Sequence, residues 1–161
     1  MNRLVKIMLV ASSSVMCVFY ALQNLANLQP AMGFVGYVVS MDGHAAYPGH
    51  IGPAVTSPVV VGIMLAIIVA LEFAAGALAL RGTIDLLRVR NATADVFNES
   101  KTYALAGTGL AVFIWFGIFG ALGGAYFQMW QTEAGANALQ GAFQYAMLNG
   151  LAWVIVNSDD R

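Results

Sequence analysis

Charge is scarce in this chain. Seven Lys and Arg and eight Asp and Glu stand among 161 residues, 9% in all, where a soluble domain carries about 25%. The 60% of hydrophobic residues is more apolar surface than a globule of this length hides, so a bilayer is expected to cover it. A net charge of −1 offers phosphate backbones little to bind, and nucleic acid is not expected as a partner. The single cysteine, Cys17, excludes an internal disulfide and a cysteine-type metal cluster. The two histidines, His44 and His50, share one loop-like stretch, which argues against haem held inside a bilayer. No nucleophile with its base, phosphate loop or dinucleotide turn is present, so neither catalysis nor a cofactor is expected.

What the chain does have is long apolar runs. Four are expected to cross the membrane, at 7–27, 58–80, 103–127 and 139–156, within one integral membrane domain covering 1–161. The first follows a short basic start, as a signal peptide does. It lacks a small-x-small cleavage site and is long for a leader, so it is expected to remain as a helix. Its Ser13, Cys17, Tyr20, Asn24 and Asn27 step by four and three onto one face, which should meet neighbouring helices. The run 58–80 covers roughly 34 Å as a helix and holds one carboxylate, Glu72. A carboxylate near the bilayer centre costs on the order of 2.5–3.5 kcal/mol, so Glu72 should face protein.

Small residues mark further faces. Gly62, Ala66, Ala70 and Ala74 form a ladder on a different side from Glu72, while Gly76 and Ala79 lie near Glu72 on its own face. In the third run Gly109, Phe113, Gly117, Gly120 and Gly124 make a seam at helical spacing. The fourth run carries Gln140, Gln144 and Asn149 and needs partners to sit in lipid.

The connection 28–57 is too long to be plain loop. Pro30 opens a short helix there, with Phe34, Val38 and Met41 on one side, and Asp42-Gly43 closes it; the alternation Val35, Tyr37, Val39 also permits a strand. After 80 the helix is expected to continue into water, with a polar turn and a return helix beginning near Asp95. With four spans, Arg3, Lys6, Arg81, Arg88, Arg90, Lys101 and Arg161 all fall on one side, and both termini are assigned to the cytoplasm. The sequons at Asn91 and Asn98 then face the cytoplasm and are not expected to be used.

Three constellations are candidates for function. Glu72 reads as a proton or ion relay, as a site for a cationic group, or as a carboxyl that joins helices by hydrogen bonds, with Ser12 or Ser13 and Asn149 as partners by depth. A relay has no second titratable station in the core, so the joining role is favoured. His44, His50 and Asp42, with Glu133, have the donor chemistry of a metal site, but their spacing matches no ligand motif. The same histidines also fit external pH sensors. Trp130 with Gln128 and Gln131 fits an anchor at the headgroup level, or a seat for a quinone head or a lipid.

The chain also resembles a bacterial family of predicted small integral membrane proteins of unknown function, built from four spans. The likeness is carried by Phe34-Val35, Ser40-Met41-Asp42, Leu71-Glu72 with Gly76 and Gly82, Lys101, Trp115 with Phe119, Gly123-Gly124, the FQMWQ stretch at 127–131 and Ala142-Phe143. It departs at Ala125, where an acidic residue is expected, and at 133–141, EAGANALQG, in place of a Trp-Asn-Gly-Gln-like turn. The resemblance implies location and architecture only. The expected fold is an all-α membrane protein: an antiparallel four-helix transmembrane bundle with a structured extracytoplasmic loop between helices 1 and 2. The expected role is a non-catalytic accessory or structural subunit of the bacterial inner membrane, forming a homo-oligomer or joining a larger membrane complex. One alternative is a small proton- or ion-coupled transporter or channel using Glu72; another is a metal- or quinone-handling protein using the outer His/Asp cluster.

Overall fold

A computed structural model describes residues 3–160, and Arg161 lies outside them. Among the described residues all regular structure is helical. Helix α1 covers Arg3–Ala26 and α2 covers Leu28–Ser40, the two parted at Asn27, whose backbone is not helical. Pro30 lies in the first turn of α2, where its missing N–H costs nothing, and Met41 closes that helix in a left-handed conformation. Helix α3 starts on Pro58 and runs unbroken to Arg88. After the short α4 (Ala94–Glu99) comes α5 (Thr102–Val112), which passes directly into a π-helical segment, Phe113–Tyr126. A 3-10 turn at Met129–Gln131 leads to α6 (Glu133–Asn157), capped by the Thr132 hydroxyl accepting from the Gly135 amide.

Three stretches are long and apolar enough to cross a membrane: Arg3–Ala26, Pro58–Arg88 and Ala94–Tyr126. Helix α6 has the length but not the apolarity, because of Gln140, Gln144 and Asn149. Between helices in lipid there is little hydrophobic drive, so small residues that let backbones touch set the packing. Here α1 and α5 both pack against α3. A Cβ at Gly76 would sit 2.6 Å from Val18 and 3.3 Å from the Ser14 carbonyl on α1. A Cβ at Gly107 would sit 2.7 Å from Ala79 Cα, and one at Gly82 would run into the backbone of Ala104. The Glu72–Gly76–Ala79 side of α3 is therefore the packed one. Ala66 and Ala70, in the other ladder, are exposed.

The third span changes character halfway. Above Val112 the helix widens to i→i−5 bonding, shown where it ends by the Phe127 amide donating to the Leu122 carbonyl at 2.8 Å. Long π-helical runs are rare. This one holds Gly117, Gly120, Gly123 and Gly124. The wider turn breaks the seam expected from α-helical spacing. Gly117 and Gly120 look only onto their own helix, at Phe113 and Phe116, whereas Gly124 faces Leu139 and Gly109 faces Trp153 on α6. The widened segment keeps its contacts with α6 but largely parts from α3. An opening is left between them.

At the other end the chain is tied shut. Asp160 accepts from Lys6 Nζ at 2.7 Å and pairs with Lys101 Nζ at 3.2 Å and Arg3 Nε at 3.7 Å. Both ammonium groups also donate to the Ser158 carbonyl. Lys6 is fully buried, and the side chains of Lys101 and Asp160 are each 4% exposed. Burial alone would raise the Asp160 carboxyl, but hydrogen bonds from Lys6 and Lys101 outweigh it and hold the group below its usual 3.8. Asn98, the second sequon residue, accepts from Lys101 and from the Asp160 amide. Phe97 is buried beneath the Arg3 guanidinium, 4.7 Å from its ring centroid.

Candidate functional site

The opening between α3 and the π segment is a cavity of about 460 Å3. Helix α2 contributes Phe34 and Val38 to its wall, α3 contributes Ile68, and the π segment Ile118 and Phe119. Most of its polar groups gather together: Tyr20 and Asn24 of α1, Glu72 of α3, Trp115 of the π segment and Tyr145 of α6 all line it. Asn137 and Leu122, both exposed, also line it, so it extends to the surface between α6 and the third span.

Glu72 is 1% exposed. Its Oε2 accepts from Asn24 Nδ2 at 3.0 Å, while Oε1 has no partner. An unmatched buried carboxylate oxygen is costly, and such groups concentrate where a ligand or proton is handled. The Tyr20 hydroxyl donates to the Tyr145 hydroxyl. The rings of Tyr20, Trp115 and Tyr145 pack pairwise with centroids 5.0 Å apart, and Phe119 adds a fourth ring 5.1 Å from Trp115. The Trp115 indole N–H is buried and unpartnered.

The residues expected around Glu72 sit elsewhere. Ser12 donates to the Met8 carbonyl of its own helix, and the Asn149 amide donates to the Tyr145 carbonyl of its own. Ser13 is buried with no hydrogen bond to Glu72, and Asn149 Oδ1 is unpartnered. The serine that reaches α3 is Ser14, whose hydroxyl donates to the Gly76 carbonyl at 2.8 Å. Depth matched from span centres sets α1 too high against α3. The register is fixed by the close approach at Gly76, which carries Asn24 rather than Ser13 to the level of Glu72. Asn24, Tyr20 and Cys17 were visible in sequence as the polar stripe of α1. Trp115 entered there through the family likeness, and Tyr145 gave no signal.

The residues of the loop after α2 and of the 128–131 turn group in a different way. The His44 and His50 rings are neighbours, with centroids 5.8 Å apart. Among the described residues no three His, Cys, Asp or Glu side chains gather as a metal site requires. His44 Nδ1 is buried without a partner. Burial, then the nearby His50, lower the His44 imidazole below its usual 6.5, with Asp42 opposing. Gln131 bonds the backbone of Tyr47 twice, its Oε1 accepting from the amide at 2.8 Å and its Nε2 donating to the carbonyl at 3.2 Å. Its Nε2 also donates to Gln128 Oε1, and Trp130 stacks edge-on to Tyr47 at 5.4 Å. Gln128, Trp130 and Gln131 thus fasten the loop that follows α2.

The family model of the predicted small integral membrane proteins (DUF2165) matches residues 2–159, and the chain belongs to that family. No curated protein matches the chain, and no solved structure does.

Proposed function

We propose that this family member is a non-catalytic, four-span protein of the bacterial inner membrane that holds a small, mostly apolar molecule beside Glu72. One observation carries the reading: a 460 Å3 cavity with apolar walls meets a buried carboxylate that one asparagine half satisfies. Its size falls within the roughly 300–1,000 Å3 of small-molecule sites, and a few convergent polar groups in an apolar wall are their usual make-up. The cavity lining holds no second carboxylate and no histidine, which supports binding over a proton relay.

The remaining parts of the reading have their own support. Helix α6 is assigned as the fourth span, completing an antiparallel bundle in a single membrane domain with the loop after α2 outside. Arg3, Lys6 and Lys101 meet at one end, and the loop after α2 carries no Lys or Arg. That asymmetry supports both termini in the cytoplasm. Exposed Gln140 and Gln144 on α6, with exposed Ala66 and Ala70 on α3, support association with a second copy or a larger membrane complex.

The test is direct. Protein purified in mild detergent is extracted with organic solvent, and the extract is quantified by mass spectrometry. One defined small molecule per chain is expected, and Ile118→Trp, which fills the cavity, should lose it. Extracts that hold only bulk lipid, equally in both proteins, would sink the reading.

A further inference from the structure

The polar part of the cavity has a particular electrostatic make-up. Tyr20, Trp115 and Tyr145 present three mutually packed rings, each pair 5.0 Å apart. Aromatic faces carry the negative side of a quadrupole, strongest for Trp. Glu72 lines the same space with one oxygen unpartnered. No Lys, Arg or His is among the cavity residues, so nothing in the wall balances the acid. An anion would be repelled from such a place, and a wholly apolar ligand would leave the carboxylate oxygen unmatched. A cation matches both the acid and the ring faces, and it gains most where water is excluded.

We propose that the cavity is a site for a lipophilic organic cation, an amine or quaternary ammonium carrying an apolar body. Its charged centre lies between Glu72 and the Tyr20–Trp115–Tyr145 rings, and the body lies along Phe34, Ile68 and Ile118. This rests on the reading of the cavity as a binding site and names the class of its ligand.

Two probe ions of one tetrahedral shape and opposite charge, tetraphenylphosphonium and tetraphenylborate, isolate the effect of charge. Equilibrium dialysis of the purified full-length protein in detergent, with detergent alone as the blank, measures both. The phosphonium is expected to bind once per chain and roughly tenfold or more tighter than the borate, a gap of about 1.4 kcal/mol. Glu72→Gln should erase the preference, Glu72→Asp should keep most of it, and Trp115→Leu should weaken the phosphonium more than the borate. Equal binding of the two ions overturns the cation assignment and leaves the binding-site reading in place. Binding of neither overturns the cation assignment too, and the extraction experiment then decides separately whether the cavity holds a neutral molecule. A Glu72→Gln chain that does not fold changes nothing, because the two ions on the unaltered chain already decide the charge preference.

Discussion

Replacing Asp160 with alanine should loosen the whole basic end. At an effective dielectric near 20, unit charges 2.7 Å and 3.2 Å apart, the distances to Lys6 and Lys101, attract by about 6 and about 5 kcal/mol before desolvation. Desolvation of the three buried ions and repulsion between the two ammonium groups consume most of that gain. The variant keeps the desolvation of the two lysines and their mutual repulsion but loses the attraction. Stranding one partner of a buried pair typically costs about 3–5 kcal/mol. The Ser158 carbonyl still accepts from both lysines, and Asn98 Oδ1 from Lys101, so the lower end, about 3 kcal/mol, is expected. For a chain of this length that lowers Tm by about 6–12 °C.

The assay is thermal unfolding in one detergent of wild type, Asp160→Ala, and the triple variant Lys6→Met/Lys101→Met/Asp160→Ala. The triple variant removes the stranded charges and should recover much of the loss. An Asp160→Ala Tm within about 2 °C of wild type, or a triple variant less stable than the single, refutes the reasoning. The pH dependence has a definite sign. The folded carboxyl is held below 3.8, so its contribution is complete above that value and disappears as pH falls through the lower folded one. Asp160→Asn should remove this acid-side step.

Four further outcomes are expected. Gly107→Ala, whose Cβ would meet Ala79 Cα at 2.7 Å and the Ala75 carbonyl at 2.9 Å, should cost about 1–3 kcal/mol in thermal or denaturant unfolding. Gly33→Ala, mid-helix with nothing within 4 Å, should instead gain about 0.5–1 kcal/mol. Ala70→Ile, on the exposed side of α3, should leave unfolding within about 0.5 kcal/mol while weakening any self-association seen by cross-linking in membranes. His44 favours its neutral form in the folded loop, so the loop's protection is complete above about 6.5 and falls away as pH drops through the lowered value. Protection factors for hydrogen exchange at 44–57 should fall below that point, and His44→Gln should flatten the response.

The helices were largely legible because their signals are local. Pro58 marks the start of α3, the Pro30 and Asp42-Gly43 brackets enclose α2, and hydropathy shows where the long helices lie. The side of α3 that carries Glu72, Gly76 and Ala79 could also be read from spacing. The cavity could not. It depends on a change from α to π winding after Val112, and a seam counted at 3.6 residues per turn runs straight through that change. The partner of Glu72 was missed because register between two apolar helices is decided by one close contact, at Gly76, which span centres do not record. Asp160 gave no signal of its own in the sequence. Nothing in sequence places it against Lys6, 154 positions away.

The tie at Asp160 and the glycine crossings at Gly82 and Gly107 all lie on the same side of Glu72. The chain is thus clamped at its base, while toward its tips the widened stretch of the third span stands off from α3. Any breathing is expected to widen the gap between α3 and the π segment rather than to move the clamped base. Spin labels across the tips should report a spread of distances, and labels across the base a single one.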